Sequence, residues 1–489
     1  MNYNQIFLYR RRIINIKVCA FIFGIAQLYT CALPSLDDPL EYLIQNIIIR
    51  SSQNTQVDSN IDNGAVDGTQ DEDEDEAVVN QVVANGKDLI LTGYYDGNAK
   101  IMRVRQDGTI DSSWTKVFDL DGVPGTTNLG HDFFRNVACS SNGDVYIAGV
   151  FKGPSSSLDL NTIVKKFDKT GGASPGWDKT INLYVEYDDP WSLTFDQDEN
   201  VYLSTRNNSA TFTGQGRIFK YQPDGTAFGA PWPLVIPSVS AHNFCGGVSV
   251  DSNGNIFAGC AYYSATSSTA GNNAWWIRKW DPTLNEDTTN FDLRINNPLG
   301  NTGGWHNLPY VSILDQDENF IVGGHMKSAG VTDNDAWYVR KFNRDTGATI
   351  WAHSWDIKTN LAYDSEAVRA LAVDSDNNTY VVGSLNSVNG DLTKHRWAIK
   401  KLDVAGIPIP AWTKIIESPT ASPDGHSYVF SVKIADDGKV YMAGSWGTGP
   451  GTTGGKGRII RFNPDGTEDT TFDPGILDIA IRGMELCNN

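Results

Sequence analysis

One unit of sequence recurs seven times, and that period limits the fold more than any other property of the chain. In its clearest copy, residues 364–416, an apolar run (368–373) meets an Asp/Asn turn (374–378) and a second run ending in Tyr380, Val381, Val382 and Gly383. A polar loop, a third run (397–402), another turn and a short fourth run near Trp412 complete it. The turn residue matching Asn377 falls at Lys87, Gly143, Glu199, Gly254, Glu318, Asn377 and Gly438, at steps of 56, 56, 55, 64, 59 and 61 residues. Short apolar runs bounded by Gly, Asn, Asp and Pro are strand signals, and no helical period competes with them. A four-stranded unit cannot bury both faces alone; stacked radially, each sheet gains two neighbours and only short edges remain. The expectation is an all-β chain, a seven-bladed β-propeller of four-stranded antiparallel blades over residues 77–489. A signal peptide (1–30) and a flexible acidic tether (31–76) are expected before it.

The fourth run of most copies closes on an aromatic: Trp114, Trp177, Trp232, Trp351, Trp412 or Phe472. At the C-terminus, residues 481–486 match 368–373, the start of a repeat, so the chain ends on an inner-type strand. Residues 79–83 compete for the same place in the first blade. Pairing the two termini in one blade removes the last free edge, and either segment can supply the inner strand.

Asp335, Ala336, Trp337, Tyr338, Val339, Arg340, Lys341 and Phe342, followed by Thr346 and Gly347, resemble the seven-bladed-propeller (SBBP) repeat. Asn463, Pro464, Asp465, Gly466 and Thr467, with Thr471 and Phe472, are similar to the delta-60 repeat of bacterial envelope proteins. The resemblance runs from about residue 77 to the C-terminus. It implies the propeller fold and an extracytoplasmic setting, and it carries no reaction, since one fold hosts unrelated functions.

Arg10, Arg11, Arg12 and Lys17 precede the apolar run 18–29, which is too short to span a bilayer comfortably. It ends in Leu28, Tyr29, Thr30 and Cys31, which resembles a lipobox; cleavage there leaves Cys31 as an acylated N-terminus and the membrane as a partner. An ordinary secretory signal and an uncleaved anchor are the alternatives, and all three export the chain. The cell envelope is the expected address, at the outer membrane, with its periplasmic face and the cell surface both open. Residues 40–49 read as a short helix opened by Asp37, Asp38 and Pro39. From residue 51 the composition is Ser, Asn, Asp and Gly, ending in six consecutive acids at 71–76, which repel one another and bury nothing.

The formal charge is −19; without residues 1–30 it is −23, from 35 basic and 58 acidic side chains. So acidic a chain excludes nucleic acid as an expected partner, because phosphate binding needs a basic surface. Cys139, Cys245, Cys260 and Cys487 lie in the propeller region. Cys245 and Cys260 fall on two strands of one predicted hairpin and are a candidate disulfide; four buried thiols acting as small hydrophobes are the competing expectation. No C-x-x-C spacing points to structural zinc.

Two recurrent features bear on chemistry. The hairpin turns at 196–200, 251–255, 315–319 and 374–378 follow a D-x-[DN]-x-N pattern like the opening of a calcium loop, but Ser204 and Gly323 stand where a later carboxylate belongs. Asp and Asn favour such turns by bonding their own backbone, which is the expected role. Second, His131, His242, His306 and His426 each sit twelve residues before the turn residue, directly ahead of the innermost strand. With Asp132, Asp189 and Asp364 nearby, they are expected at one end of the central channel. There they are candidate ligands for a polar molecule or a divalent metal, the one cofactor the pattern admits. A capping role at the strand entries is the competing reading. Ser-, Thr-, Gly- and Asn-rich loops between second and third strands gather on the same face.

Three functions remain open. The first is an exported, lipid-anchored binding module presenting this loop face to a protein or glycan of the envelope. The second is a metal-dependent lyase or hydrolase using the His/Asp ring, for which no nucleophile or metal motif speaks. The third is a purely structural envelope protein.

Overall fold

The computed structural model describes residues 87–120, 132–152, 160–183, 187–208, 214–236, 242–243, 245–262, 274–295, 307–327, 335–355, 366–385, 396–417, 427–446 and 456–488. The expected signal segment, lipid-attachment Cys31, helix 40–49, acidic run and alternative inner strand 79–83 lie outside the described residues.

The seven repeats form seven antiparallel blades. Their inner strands are Ala480–Asn488, Phe133–Cys139, Tyr187–Phe195, Cys245–Val250, Leu308–Leu314, Ala367–Val373 and Val429–Ile434, for blades 1 to 7 in turn. Blade 1 takes its inner strand from the C-terminal end of the chain, so Lys87 opens the second strand, Lys87–Tyr95, and is not a hairpin residue. Cys487 on that last strand is disulfide-bonded to Cys139 on the inner strand of blade 2, and the Asn488 amide donates to the Ser141 carbonyl at 2.9 Å. Cys245 and Cys260 form the second disulfide. All four cysteines of the propeller are therefore paired, and the reading of them as free buried thiols is corrected.

The apolar core divides into seven layers, one between each pair of neighbouring blades. Leu89, Met102, Tyr441, Ile459 and Ile481, for example, join blades 7 and 1; Tyr146, Val164, Val201 and Tyr221 join blades 2 and 3. The cause is strand alternation: successive side chains point to opposite faces, and in a radial stack both faces meet a neighbour. This is why the strands read as near-continuous apolar runs, as in Thr379–Leu385, which is buried throughout.

The closing aromatics mark a departure from four uniform strands. Trp177 and Trp412 sit in single 3-10 turns opened by Pro175 and Pro410, where the missing proline N–H costs nothing. The fourth strands, Lys179–Ile181 and Lys414–Glu417, come after them. In blade 7 the outer strand is reduced to a bridge between Gly457 and Leu477. These buried indoles reach the following blade: Trp177 packs on Tyr221 and donates its Nε1–H to the Pro223 carbonyl at 2.8 Å, and Trp412 packs on Phe462.

The Asp turns are stitched between neighbouring blades as well, with side chains reaching back. Glu199, Glu318 and Asn377 hold φ of 59°, 60° and 64°. Their side chains accept the N–H of Ser141, Ser252 and Gln316, in the turn of the preceding blade, at 2.8, 2.6 and 2.7 Å. Within each turn the aspartate serves its own backbone. Asp374 Oδ1 accepts the Asn378 N–H at 2.9 Å, and its other oxygen pairs with Lys401 at 2.8 Å.

Candidate functional site

A glycine near the end of most second strands is the local cause of the site. A Cβ at Gly93, Gly149, Gly324, Gly383 or Gly444 would lie 1.9–2.2 Å from the carbonyl oxygen of Ala480, Phe133, Leu308, Ala367 or Tyr428 respectively. Each of those carbonyls is two residues ahead of a β-bulge in the inner strand. The ladder skips one residue there in every blade: Arg482, Arg135, Trp191, Gly246, Tyr310, Arg369 and Phe430. A bulged residue leaves the in-out alternation of its strand and re-aims its side chain. Here it leaves the inter-blade layers for the channel. In blade 4 Cys260 replaces the glycine, and its disulfide to Cys245 straddles the bulge at Gly246.

The six side chains at these bulges are half-buried, and contacts between blades that are not neighbours place them around the axis. Trp191 of blade 3 stacks on Tyr310 of blade 5, with centroids 5.9 Å apart and planes 9° from parallel, while the residue at the bulge of blade 4 between them is Gly246. From Tyr310 the circuit passes to the Arg369 guanidinium (4.5 Å from the ring), which also faces Tyr428 at 5.9 Å. Tyr428 meets Phe430 at 6.0 Å, Phe430 carries Arg482 at 4.5 Å, and Arg482 faces Phe133 at 5.9 Å. Phe133 carries Arg135 at 5.5 Å, and Arg135 returns to Trp191 at 4.7 Å. Arg206 lies over the same indole at 5.6 Å. The belt is closed.

Cation–π contacts hold guanidiniums in place without neutralising them. Burial lowers the pKa of Arg135; Asp189 holds it up, while Arg482, Arg206 and Arg369 push it further down. Arg135 lies in blade 2 and Arg369 in blade 6, so this repulsion also acts across the channel. Asp189 is bonded to Arg135 at 3.2 Å and to Arg206 at 3.6 Å. The Arg135 side chain keeps 21% of its exposure, so the channel reaches it.

Of the residues proposed from sequence, Asp189 belongs to this belt. Asp132 is buried and accepts the backbone N–H of Leu120 at 2.9 Å and of Lys152 at 3.3 Å, holding the entry loop to its own hairpin. Neighbouring Asp188 does likewise, accepting from the Leu183 N–H and the Asn207 amide, each at 2.5 Å. His242 is described in its backbone, which pairs in parallel with Gly214 at the start of the third strand of blade 3. His131, His306, Asp364 and His426 lie outside the described residues. Among the described residues no three His, Cys, Asp or Glu side chains converge as a metal site.

Arg135, Trp191, Tyr310, Arg369 and Phe430 are absent from the sequence-derived site, although a signal for them exists. They fall eight residues before Gly143, Glu199, Glu318, Asn377 and Gly438, in step with the repeat, opposite a second-strand glycine or its substitute. Arg482 aligns with Arg369 through the match of 481–486 to 368–373.

At the turn end, Asp196, Asp251, Asp315 and Glu318, with Phe195, Val250 and Leu314, line a cavity of about 410 Å³. Three of these carboxylates are paired with cations: Asp196 with Lys220 at 3.1 Å, Asp315 with Lys341, and Glu318 with Arg344.

No family model matches the chain, and no curated protein matches it in sequence. Solved structures do. The periplasmic gluconolactonase of Pseudomonas aeruginosa superposes with a TM-score of 0.50 at 11% identity, over 82% of this chain and 99% of its own. A protein from Lactobacillus plantarum gives 0.46 at 10%, over 82% and 99%. A polysaccharide lyase described as an ulvan lyase also gives 0.46, at 9%, over 82% and 91%. At such identities the likeness is one of fold, a seven-bladed β-propeller.

Proposed function

We propose that this protein is an exported binding module of the cell envelope, held to the membrane through Cys31, that receives its ligand at the loop end of the central channel. The observation that carries the reading is the set of seven bulges, which turn one residue per blade toward a common axis. A strand that only had to stack would keep its ladder regular. Bulges gather where a side chain must be re-aimed. Two disulfides, one closing the ring, suit an oxidising compartment.

The test compares the purified full chain with a Trp191→Ala, Tyr310→Ala double variant on an array of envelope glycans and peptidoglycan fragments. Circular dichroism and melting serve as the check on folding. Binding by the parent that is lost in the folded variant supports the channel as the site; binding that survives unchanged removes it. Separately, a Cys31→Ser chain should leave the membrane fraction, and one that stays there refutes the lipid anchor.

A further inference from the structure

We infer that Lys400, in the cleft between blades 5 and 6, is a carbonyl-capture site: its side-chain amine forms an imine with an aldehyde, such as the open-chain form of a reducing sugar. The site lies at the rim of the ring and does not depend on the channel.

The argument begins with strand alternation. Lys400 and Lys401 are consecutive on the third strand of blade 6, Arg396–Leu402, so they point to opposite faces of the blade. Lys401 pairs with Asp374 of its own blade at 2.8 Å. Burial works against its ammonium, but the Asp374 carboxylate and the Tyr380 hydroxyl outweigh burial and raise its pKa. Lys400 meets blade 5 instead. Its Nζ lies 3.3 Å from Nε2 of His353 and 3.8 Å from the centre of the Trp355 ring, both on the fourth strand, Thr349–Trp355. Lys100 and Lys341 are buried as Lys400 is, and each has an acid: Lys341 pairs with Asp315, and Asp478 supports the charge of Lys100. Among the described residues Lys400 has an imidazole where those two have a carboxylate.

The imidazole orients the amine without holding its proton. An ammonium can only donate, so Nε2 is the unprotonated ring nitrogen and His353 is neutral. Burial lowers the Lys400 ammonium to about 8, so at that pH about half of the amine is free, against about one in three hundred for an ordinary lysine. His353 and Trp355 are half-buried on the outermost strand of their blade, which opens the cleft to solvent at the rim. A free amine in such a place is a nucleophile. Its lone pair adds to the carbonyl carbon of the aldehyde, and a proton passes from the nitrogen to the former carbonyl oxygen. Loss of that oxygen as water leaves the C=N bond, and no oxidant or reductant is consumed. Once protonated, the imine is again a cation, and the ring face of Trp355 that held the ammonium holds it too.

The experiment incubates the full chain with D-glyceraldehyde and sodium cyanoborohydride, which reduces an imine to a stable amine. Peptide mass spectrometry then reads the occupancy of each lysine over time. Near neutral pH Lys400 should be labelled at least tenfold faster than its neighbour Lys401 and than Lys169, which is exposed. That lead should narrow above about pH 8, where the Lys400 amine is already free and ordinary lysines are still losing their protons. His353→Glu sets a carboxylate beside the amine, as Asp374 is set beside Lys401. It should slow labelling of Lys400 at least tenfold and leave Lys401 unchanged, with circular dichroism and melting as the check on folding. Labelling of Lys400 no faster than of Lys401 or Lys169 overturns the inference, and that comparison needs no variant. A folded His353→Glu chain labelled at the parent's rate overturns it as well, because the imidazole would then have no part in freeing the amine.

Discussion

Replacing Gly383 with alanine tests the link from sequence to bulge to site. The added methyl carbon would stand 2.0 Å from the Ala367 carbonyl oxygen and 2.7 Å from Cζ2 of Trp337. Ordinary contact requires a retreat of about 1 Å from each, and neither neighbour is free to give it: one is backbone, the other a buried indole hydrogen-bonded to the Ser384 carbonyl at 3.1 Å. Overpacking of this kind costs about 1–3 kcal/mol, and with two rigid neighbours the upper end is expected, about 3 kcal/mol. That corresponds to roughly a hundredfold change in the folded-to-unfolded ratio. The cheapest relief is to draw the Val368–Ala370 segment back into a regular ladder, which turns Arg369 out of the channel. Gly383→Ala should therefore lose stability, read by urea unfolding, together with whatever binding the parent shows on the glycan array. Gly229→Ala is the control, since nothing lies within 4 Å of a methyl group there, and it should stay within about 0.5 kcal/mol of the parent. A Gly383→Ala chain as stable as that control refutes the clash. One that is destabilised yet keeps the parent's binding on the array refutes the coupling between the glycine and the site.

Two further outcomes are expected. Cys487→Ser removes the bond between the C-terminal strand and blade 2 across 348 residues of sequence and should cost about 2–5 kcal/mol, with melting that no longer responds to reductant at that bond; an unchanged midpoint would show that strand pairing alone holds the ring. Burial lowers the His353 imidazole from 6.5 to about 4, with Lys400 adding to it, and lowers the Lys400 ammonium from 10.5 to about 8. Both folded values lie below the unfolded ones, so the unfolded chain binds more protons in each window. Stability should rise with pH from about 4 to 6.5 through His353, and from about 8 to 10.5 through Lys400. Lys400→Met should flatten the second rise in a melting-versus-pH profile, and a slope left intact there contradicts the assignment.

The propeller was legible because most blades repeat the same signals: apolar runs, a tight turn often built from Asp and Asn, and a closing aromatic. These are local and survive in a single sequence. Ring closure was less so, because residues 79–83 and 481–486 carry the same pattern and only three-dimensional pairing chooses between them. Trp177 and Trp412 were read as strand residues because burial makes an aromatic look the same in a strand and in a short turn; Pro175 and Pro410, two residues before them, were the local clue. The site was the hardest to see. A ring of bulged residues from seven blades has no spacing in sequence except the repeat itself, and its residues differ in type, from Arg135 to Trp191 to Gly246. Histidine stood out because it is rare. The glycines that permit the bulges, such as Gly383, look in sequence like ordinary strand punctuation, and their steric meaning appears only against the carbonyl each one faces. Cys139 and Cys487 pair over a separation that no hairpin suggests.

The final strand, Ala480–Asn488, has a consequence for how the molecule comes into being. A polypeptide is delivered from its N-terminal end, and blades 2 to 7 each receive their inner strand before their second. Blade 1 receives its inner strand last of all. Until those nine residues arrive, the edge of Lys87–Tyr95 is unpaired and open to another chain. The same nine residues bring Arg482. Ring closure and completion of the belt thus coincide in one docking event: a chain interrupted before its end has neither a complete circle nor a complete belt, and leaves a sticky edge exposed.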